Sequence, residues 1–392
     1  MSLKGEAPPS TPPAQSYAFP SALNARPPPR RRLHPPVNRG GRLRELVERI
    51  EAKWIGTFAA AFALCRVQPG DEVAILSETQ SRAVNVHLAE LALMRMGARP
   101  FHLVMPSPAL NAPVPVRSTG SSTALQRNRA ALAALKSGIF IADLTAEGLM
   151  HPDELPEIMA AGSRVLYISD EHPDALERLA PDEALIPRVL HARTLLRACK
   201  TMHVTSAAGT DLTVRMEGAR IGGNLGASWE PSTLATWPGG IASCFPALGG
   251  VDGTLVLDEG DINITFKRYL EKPVTLRIEK DYVRAVEGHG LDADLMREYF
   301  ASWNDPEAYG TSHVGWGMNP RARWESMVLY DKAHTNGIEQ RAFAGNFLFS
   351  TGANPFAGRH TLGHFDLPVR HCTITLDGVP VVVDGNLAPE LA

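Results

Sequence analysis

The chain has few of the features that mark several large classes of protein. Its four cysteines, Cys65, Cys199, Cys244 and Cys372, are spread over 392 residues with no Cys-x-x-Cys pair. That spacing argues against a structural zinc knuckle and a disulfide framework, and it fits a reducing cytoplasm. No apolar run approaches the roughly 20 residues needed to cross a bilayer, so no membrane-spanning role is expected. The formal net charge is only -3, which creates no global field for nucleic acid, and the basic run from Pro27 to Pro36 stands alone. A glycine-rich phosphate loop of Walker or dinucleotide type is missing, and so is any repeat of solenoid length.

What is present is the composition of an ordinary globular protein, 44% hydrophobic and 21% charged. Residues 1–41 hold most of the proline clusters and little apolar periodicity. They cannot bury enough surface to offset the entropy of ordering, so a mobile tail is expected there. The functional alternative is a nucleic-acid or partner arm built on Arg30, Arg31 and Arg32.

From Arg42 the pattern alternates between helix and strand. Apolar residues recur at helical spacing up to Cys65, and "RVQPGDEVAIL" then passes through a Pro-Gly turn into a short apolar strand at Val73 to Leu76. An amphipathic helix in "AVNVHLAELALMRMGA" leads to a strand at Pro100 to Met105. The alternation continues through "NRAALAALKSGIFIADL" and through "SRVLYISD", with a strand at Val165 to Ile168 before a helix around Asp174 to Leu179. Such alternation predicts a doubly wound parallel sheet, assigned to residues 42–198. Beyond Lys200 the texture changes to short alternating runs bounded by Asp-Gly turns, as in "CTITLDGVPVVVDG", which predict antiparallel hairpins. The expected fold class is therefore α+β: an α/β domain at 42–198, then a β-rich domain at 199–392 carrying the candidate site. A single helix, about Asp292 to Trp303, interrupts the second domain.

The chemistry-bearing stretch is "GRHTLGHFDLPVRHC", Gly358 to Cys372. Residues two apart in an extended strand share a face, so His364 and Asp366 look one way while Phe365 looks the other. An imidazole beside a carboxylate supplies two members of a two-histidine, one-carboxylate facial triad. Taken alone, the pair is a weak signal, read first as a hydrogen-bonded pair on a sheet. A third ligand must come from elsewhere, and His313 in the glycine-rich "GTSHVGWGMNP", read as a loop, is the best candidate. His360 and His371 are read as flanking the strand, as groups behind the ligands or on the surface. His334 sits in a polar stretch, and His203 and His289 have no acidic partner at a useful spacing.

The segments "VQPGDEVAIL", "WPGG", "VDGTLVLD", "SHVGWGMNP" and "GHFDLPVRHCTITLDGVPVVVDG" together resemble the M29 leucyl aminopeptidase superfamily, and within it the 2,5-dihydroxypyridine 5,6-dioxygenase branch. The resemblance spans roughly residues 42–390. The peptidases place glutamates in the loop matching "WPGG" and in the segment matching "SHVGW"; here those places read Gly239, Gly240, Ile241 and His313. The resemblance to the dioxygenases implies His313, His364 and Asp366 as ligands of one Fe(II). It also implies that Met150 and His151, in the place of a leucine-histidine pair, face the substrate. It further implies ring opening of 2,5-dihydroxypyridine between carbons 5 and 6 to N-formylmaleamate, with O2 and a small heteroaromatic molecule as partners and a homo-oligomeric assembly. The alternative is an M29-type metallo-aminopeptidase, with acids such as Asp252 or Glu325 replacing the missing glutamates.

Overall fold

The computed structural model describes residues 49–109 and 121–392. The expected tail and the start of the expected first helix lie outside the described residues. Helix α1, Ala52–Leu64, buries Trp54, Phe58, Ala61 and Phe62, which recur at the three- and four-residue spacing of one helix face. After it come β1 (Glu72–Glu78), α2 (Ala83–Arg95), β2 (Arg99–Met105), α3 (Arg129–Leu135) and β3 (Phe140–Asp143). The run ends with α4 (Leu155–Ala160), β4 (Arg164–Ile168), α5 (Pro173–Arg178) and α6 (Leu185–Ala198).

The next strands are β5 (Thr201–Ser206), β6 (Asp211–Arg215), β7 (Arg220–Asn224), β8 (Leu234–Trp237), β9 (Ile241–Phe245) and β10 (Val251–Leu257). A short pair, β11 (Ile262–Asn263) and β12 (Arg268–Tyr269), precedes β13 (Val274–Glu279), β14 (Tyr282–Gly288) and α7 (Leu291–Ser302). The chain closes with β15 (Thr311–Gly317), α8 (Ile338–Ala342), β16 (Phe347–Asn354), β17 (Arg359–Val369), β18 (Cys372–Leu376), β19 (Val379–Val383) and β20 (Asn386–Leu387).

The parallel sheet has the order β2-β1-β3-β4-β8. Its central strands are covered on both faces, which explains their continuous apolar sequence. Val73 and Ile75 of β1 pack into a core with α1 and α2, while Ala74 and Leu76 pack into the opposite core with α3. The fifth strand, β8, comes from beyond residue 199 and pairs with β4 from Val165–Leu234 to Ile168–Trp237. Trp237 is buried, donates from Nε1 to Leu179 O at 2.9 Å, and meets Phe58 edge-on at 5.1 Å.

Besides the β11-β12 pair, two antiparallel sheets form the rest. The larger runs β14-β13-β10-β6-β5-β18-β19-β20, and the smaller runs β17-β16-β15-β9-β7. Met202, Val204, Leu212 and Leu255 from the first meet Val314, Trp316, Phe349, Phe365 and Leu367 from the second in one core. Two-residue turns close the hairpins where Asp-Gly and Lys-Asp pairs take positive φ: Asp377 (49°) with Gly378 (85°), and Lys280 (47°) with Asp281 (77°).

Two local expectations are corrected. "TSHVGWG" is a strand, β15, and not a loop: its glycines permit close approach of neighbouring backbone, since a Cβ on Gly315 would stand 2.0 Å from Ala242 O. The helix expected near Asp292 is α7, but α8 also interrupts this region; at five residues, its "IEQRA" is too short to show periodicity. Replacing Gly315 with alanine should therefore destabilise the fold by about 1–3 kcal/mol, the usual cost of overpacking. A denaturation midpoint equal to that of the parent chain would contradict this account of β15.

Candidate metal centre

The same alternation that sends Phe349, Phe365 and Leu367 into the sandwich core sends Ser350, His364 and Asp366 to the opposite face of the sheet. Register brings them together. Ser350 of β16 pairs directly with Asp366 of β17, and Gly352 with His364. His313 of β15 falls within an irregular step of register between Thr311 and Val314, and its Nε2 lies 3.1 Å from Ser350 Oγ. β17 is the edge strand, and the outer edge at His364 is closed by a side chain. Its N–H donates to the Tyr299 hydroxyl at 3.1 Å, and that hydroxyl donates to His364 O at 2.5 Å.

His313, His364 and Asp366 are thereby gathered so that one ligand atom from each lies within 4.8 Å of the others. Asp366 Oδ1 is 3.7 Å from His313 Nε2, and Oδ2 is 3.3 Å from His364 Nε2. The two imidazoles are stacked with ring centroids 5.5 Å apart. Asp366 also accepts a hydrogen bond from Ser350 Oγ and pairs with Arg341 Nε of α8 at 2.5 Å.

The electrostatics suit a cation. Burial opposes the charge on Asp366, but Arg341, then His364 and His313, outweigh it and hold the carboxyl well below its usual range. Burial pushes His313 down to about 4; Asp366 opposes this, while His364 and Arg341 reinforce it. At neutral pH Asp366 is therefore anionic and the His313 ring is neutral, with a lone pair to offer. Carboxylate and imidazole donors converging without a thiolate fit a first-row divalent ion of the kind bound by a facial triad.

His151 joins this cluster. It follows β3 in the chain, and its ring centroid is 5.2 Å from that of His364. Its Nε2 is buried without a hydrogen-bond partner among the described residues. Burial first, then the neighbouring imidazoles, lower its pKa to about 3, so the ring is neutral. Met150 beside it is 40% exposed.

The other histidines stay apart from the site. His371 is exposed and faces Asp384 at 3.7 Å, and His334 packs near His172 at 5.3 Å. His203, expected to lack an acidic partner, bonds Asp211 across its hairpin at 2.8 Å. Sequence reasoning missed Ser350, although the alternation of "FLFS" puts it on the His364 face. It also missed Arg341, for which no local pattern exists.

In the loop where the resemblance would place a peptidase glutamate, Gly239 and Gly240 have no room for a side chain. A Cβ on Gly239 would stand 2.4 Å from Gly226 N, and one on Gly240 2.8 Å from Asn319 Cβ. Asp252 pairs with Arg215 at 2.7 Å and Glu325 with Arg323 at 3.5 Å, so neither replaces a missing glutamate.

Fold and site together define a class: an α+β protein that buries a two-histidine, one-carboxylate set on the face of an antiparallel sheet. The chain belongs to the 2,5-dihydroxypyridine 5,6-dioxygenase family (NicX), which it matches over residues 53–389. It is 38% identical over 340 residues to 2,5-dihydroxypyridine 5,6-dioxygenase of Pseudomonas putida KT2440, covering 85% of this chain and 95% of that one. The solved structure of the dioxygenase from Pseudomonas putida KT2440 matches with a TM-score of 0.82 at 36% identity, over 88% of this chain and 100% of that one. Wild-type AmpT from Thermus thermophilus shares the fold alone, with a TM-score of 0.58 at 14% identity over 86% of this chain and 99% of that one. The chain is thus an enzyme of the oxygenase class, and the comparisons favour this over the peptidase alternative. No helix among the described residues is long and apolar enough to cross a membrane.

Removing Arg341 leaves Asp366 as a buried, uncompensated charge when no metal is bound. Arg341→Ala should destabilise the metal-free protein by about 3–5 kcal/mol, and added divalent metal should restore more of its melting temperature than it adds to the parent chain. An equal metal-induced shift in both proteins would separate Arg341 from the charge balance of the site.

Proposed function

We propose that the chain is a non-haem Fe(II)-dependent dioxygenase that opens the ring of 2,5-dihydroxypyridine, or a close hydroxypyridine, between carbons 5 and 6 to give N-formylmaleamate. The observation that carries this reading is the convergence of His313, His364 and Asp366, beside the unpartnered Nε2 of His151, in a chain of this family. His313, His364 and Asp366 would hold the ion. When bound, ferrous iron supplies open coordination positions and the one-electron chemistry that lets O2 react with a closed-shell aromatic ring.

The remaining work falls to the protein. His151, held neutral by burial, accepts a hydrogen bond from a ring hydroxyl through Nε2 and so orients the ring. Met150 offers an adaptable apolar wall beside it, in the role the family resemblance gives to a leucine. Arg341 and Ser350 keep Asp366 ionised and fixed, so the donor set is assembled before substrate arrives. A homo-oligomer in a reducing cytoplasm belongs to the same reading, and the four free cysteines suit that compartment.

Anaerobic reconstitution should load about one Fe(II) per chain, and oxygen uptake should follow addition of 2,5-dihydroxypyridine. Two zinc ions per chain together with cleavage of leucyl substrates would point to the peptidase branch instead. His364→Ala should lose the metal. His151→Ala should keep it and lower kcat by about 100-fold, the scale of lost acid-base help; equal metal loss in both variants would refute this division of roles.

A further inference from the structure

In open parallel sheets, ligands bind in the crevice beyond the carboxyl ends of the strands, where the strand order reverses. Here that point lies between β1 and β3, and a carboxylate ends each of the two strands, Glu78 and Asp143. Neither faces an open cleft. The chain's own segment from Thr145 to Leu149, which leads to His151, fills the space, and both carboxylates accept hydrogen bonds from its backbone, Glu78 accepting also from Ser107 Oγ at 2.6 Å. Asp143 Oδ1 accepts from Thr145 N at 3.0 Å and from Thr145 Oγ1 at 2.7 Å, while Oδ2 accepts from Leu149 N at 2.8 Å. Glu78 Oε1 accepts from Ala146 N at 2.8 Å.

The segment is held from its other sides as well. Thr145 Oγ1 accepts from Gly148 N at 3.1 Å, and a Cβ on Gly148, whose φ is +79°, would press on the Tyr167 ring at 3.0 Å. Ala146 O accepts from the Tyr167 hydroxyl at 3.1 Å and from Asn336 Nδ2 at 3.3 Å. Beyond His151, Glu154 accepts from Arg127 N at 3.0 Å. Asp143 and Thr145 are wholly buried. A fully buried carboxylate accepting three hydrogen bonds within one turn of chain is costly to desolvate, and what it fixes is the path of the backbone two residues before His151.

We propose that Asp143 is a positioning residue for the ring-cleaving reaction: it holds the Thr145–Leu149 segment so that His151 is aimed at substrate beside His364. This rests on the reading of His151 given above. Geometry alone carries the effect, because a displacement of the order of 1 Å in a group that orients substrate can cost about 100-fold in rate. Asp143 is hydrogen-bonded to Thr145 and Leu149 and to none of the candidate metal ligands among the described residues.

The test is a double-mutant cycle on the Fe(II)-reconstituted full chain, with metal content, melting temperature, kcat and KM measured for each variant. Asp143→Asn keeps an acceptor for Thr145 and loses the one for Leu149; Thr145→Val removes the hydroxyl link at nearly constant shape and serves if the first variant fails to fold. Both should retain the metal and lower kcat, Asp143→Asn by up to about 100-fold. The loss in kcat should vanish when His151 is already alanine, whereas the change in melting temperature should persist in that background. Two results overturn the proposal while leaving the function intact: Asp143→Asn and Thr145→Val without effect on kcat where His151→Ala lowers it, or an equal loss of kcat with and without His151. If His151→Ala itself leaves kcat unchanged, the reading of His151 falls and this proposal falls with it.

Discussion

The site depends on keeping one carboxylate charged in a place that excludes water. Asp366 sits on a sheet face with its oxygens turned to His313, His364, Ser350 and Arg341, and each of these contacts offsets part of the cost of burying an anion. The backbone makes this possible. Antiparallel pairing of β16 with β17 sets Ser350 opposite Asp366, and the hydrophobic faces of the same strands lock that register by packing Phe349, Phe365 and Leu367 into the sandwich. A slip of one residue would turn both sets to the wrong side. Stability and chemistry are therefore specified by the same alternation.

Much of this was legible in the sequence where a physical period generates it. The strand and helix alternation before residue 198, the Asp-Gly hairpins and the shared face of His364 and Asp366 all follow from periods of 3.6 and 2. His313 was legible as a candidate but its setting was not, because "SHVGWG" carries glycines that suggest a loop; they serve instead to let Ala242 and Phe343 approach β15. Arg341 could not be found at all. Its pairing with Asp366 depends on where a five-residue helix lands, and that is decided by contacts far away in sequence, such as Glu171 with Gly337 N and Arg178 with Glu339. The fifth strand of the parallel sheet was hidden for the same reason, since β8 returns to that sheet from among the antiparallel strands.

The likeness to AmpT at 14% identity concerns the fold alone, and a fold does not by itself fix chemistry. What distinguishes this chain lies in particular positions. At Gly239 and Gly240 the backbone passes too close to Gly226 and Asn319 for any side chain, so the carboxylates that the peptidase resemblance would place there have no space. A histidine occupies the other expected acidic position. The donor set that remains suits one ion rather than two, and His151 beside it is neutral where a hydrolytic site would require a further acid.

The central claim, that one ferrous ion is held by two imidazoles and one carboxylate, is tested most directly by a crystal structure of the protein loaded anaerobically with Fe(II), with anomalous data collected on both sides of the iron edge. The account predicts one iron peak per chain, bonded to His313 Nε2, His364 Nε2 and a carboxylate oxygen of Asp366. Two peaks in the site, or a single peak that leaves any of these three side chains unbound, would contradict it.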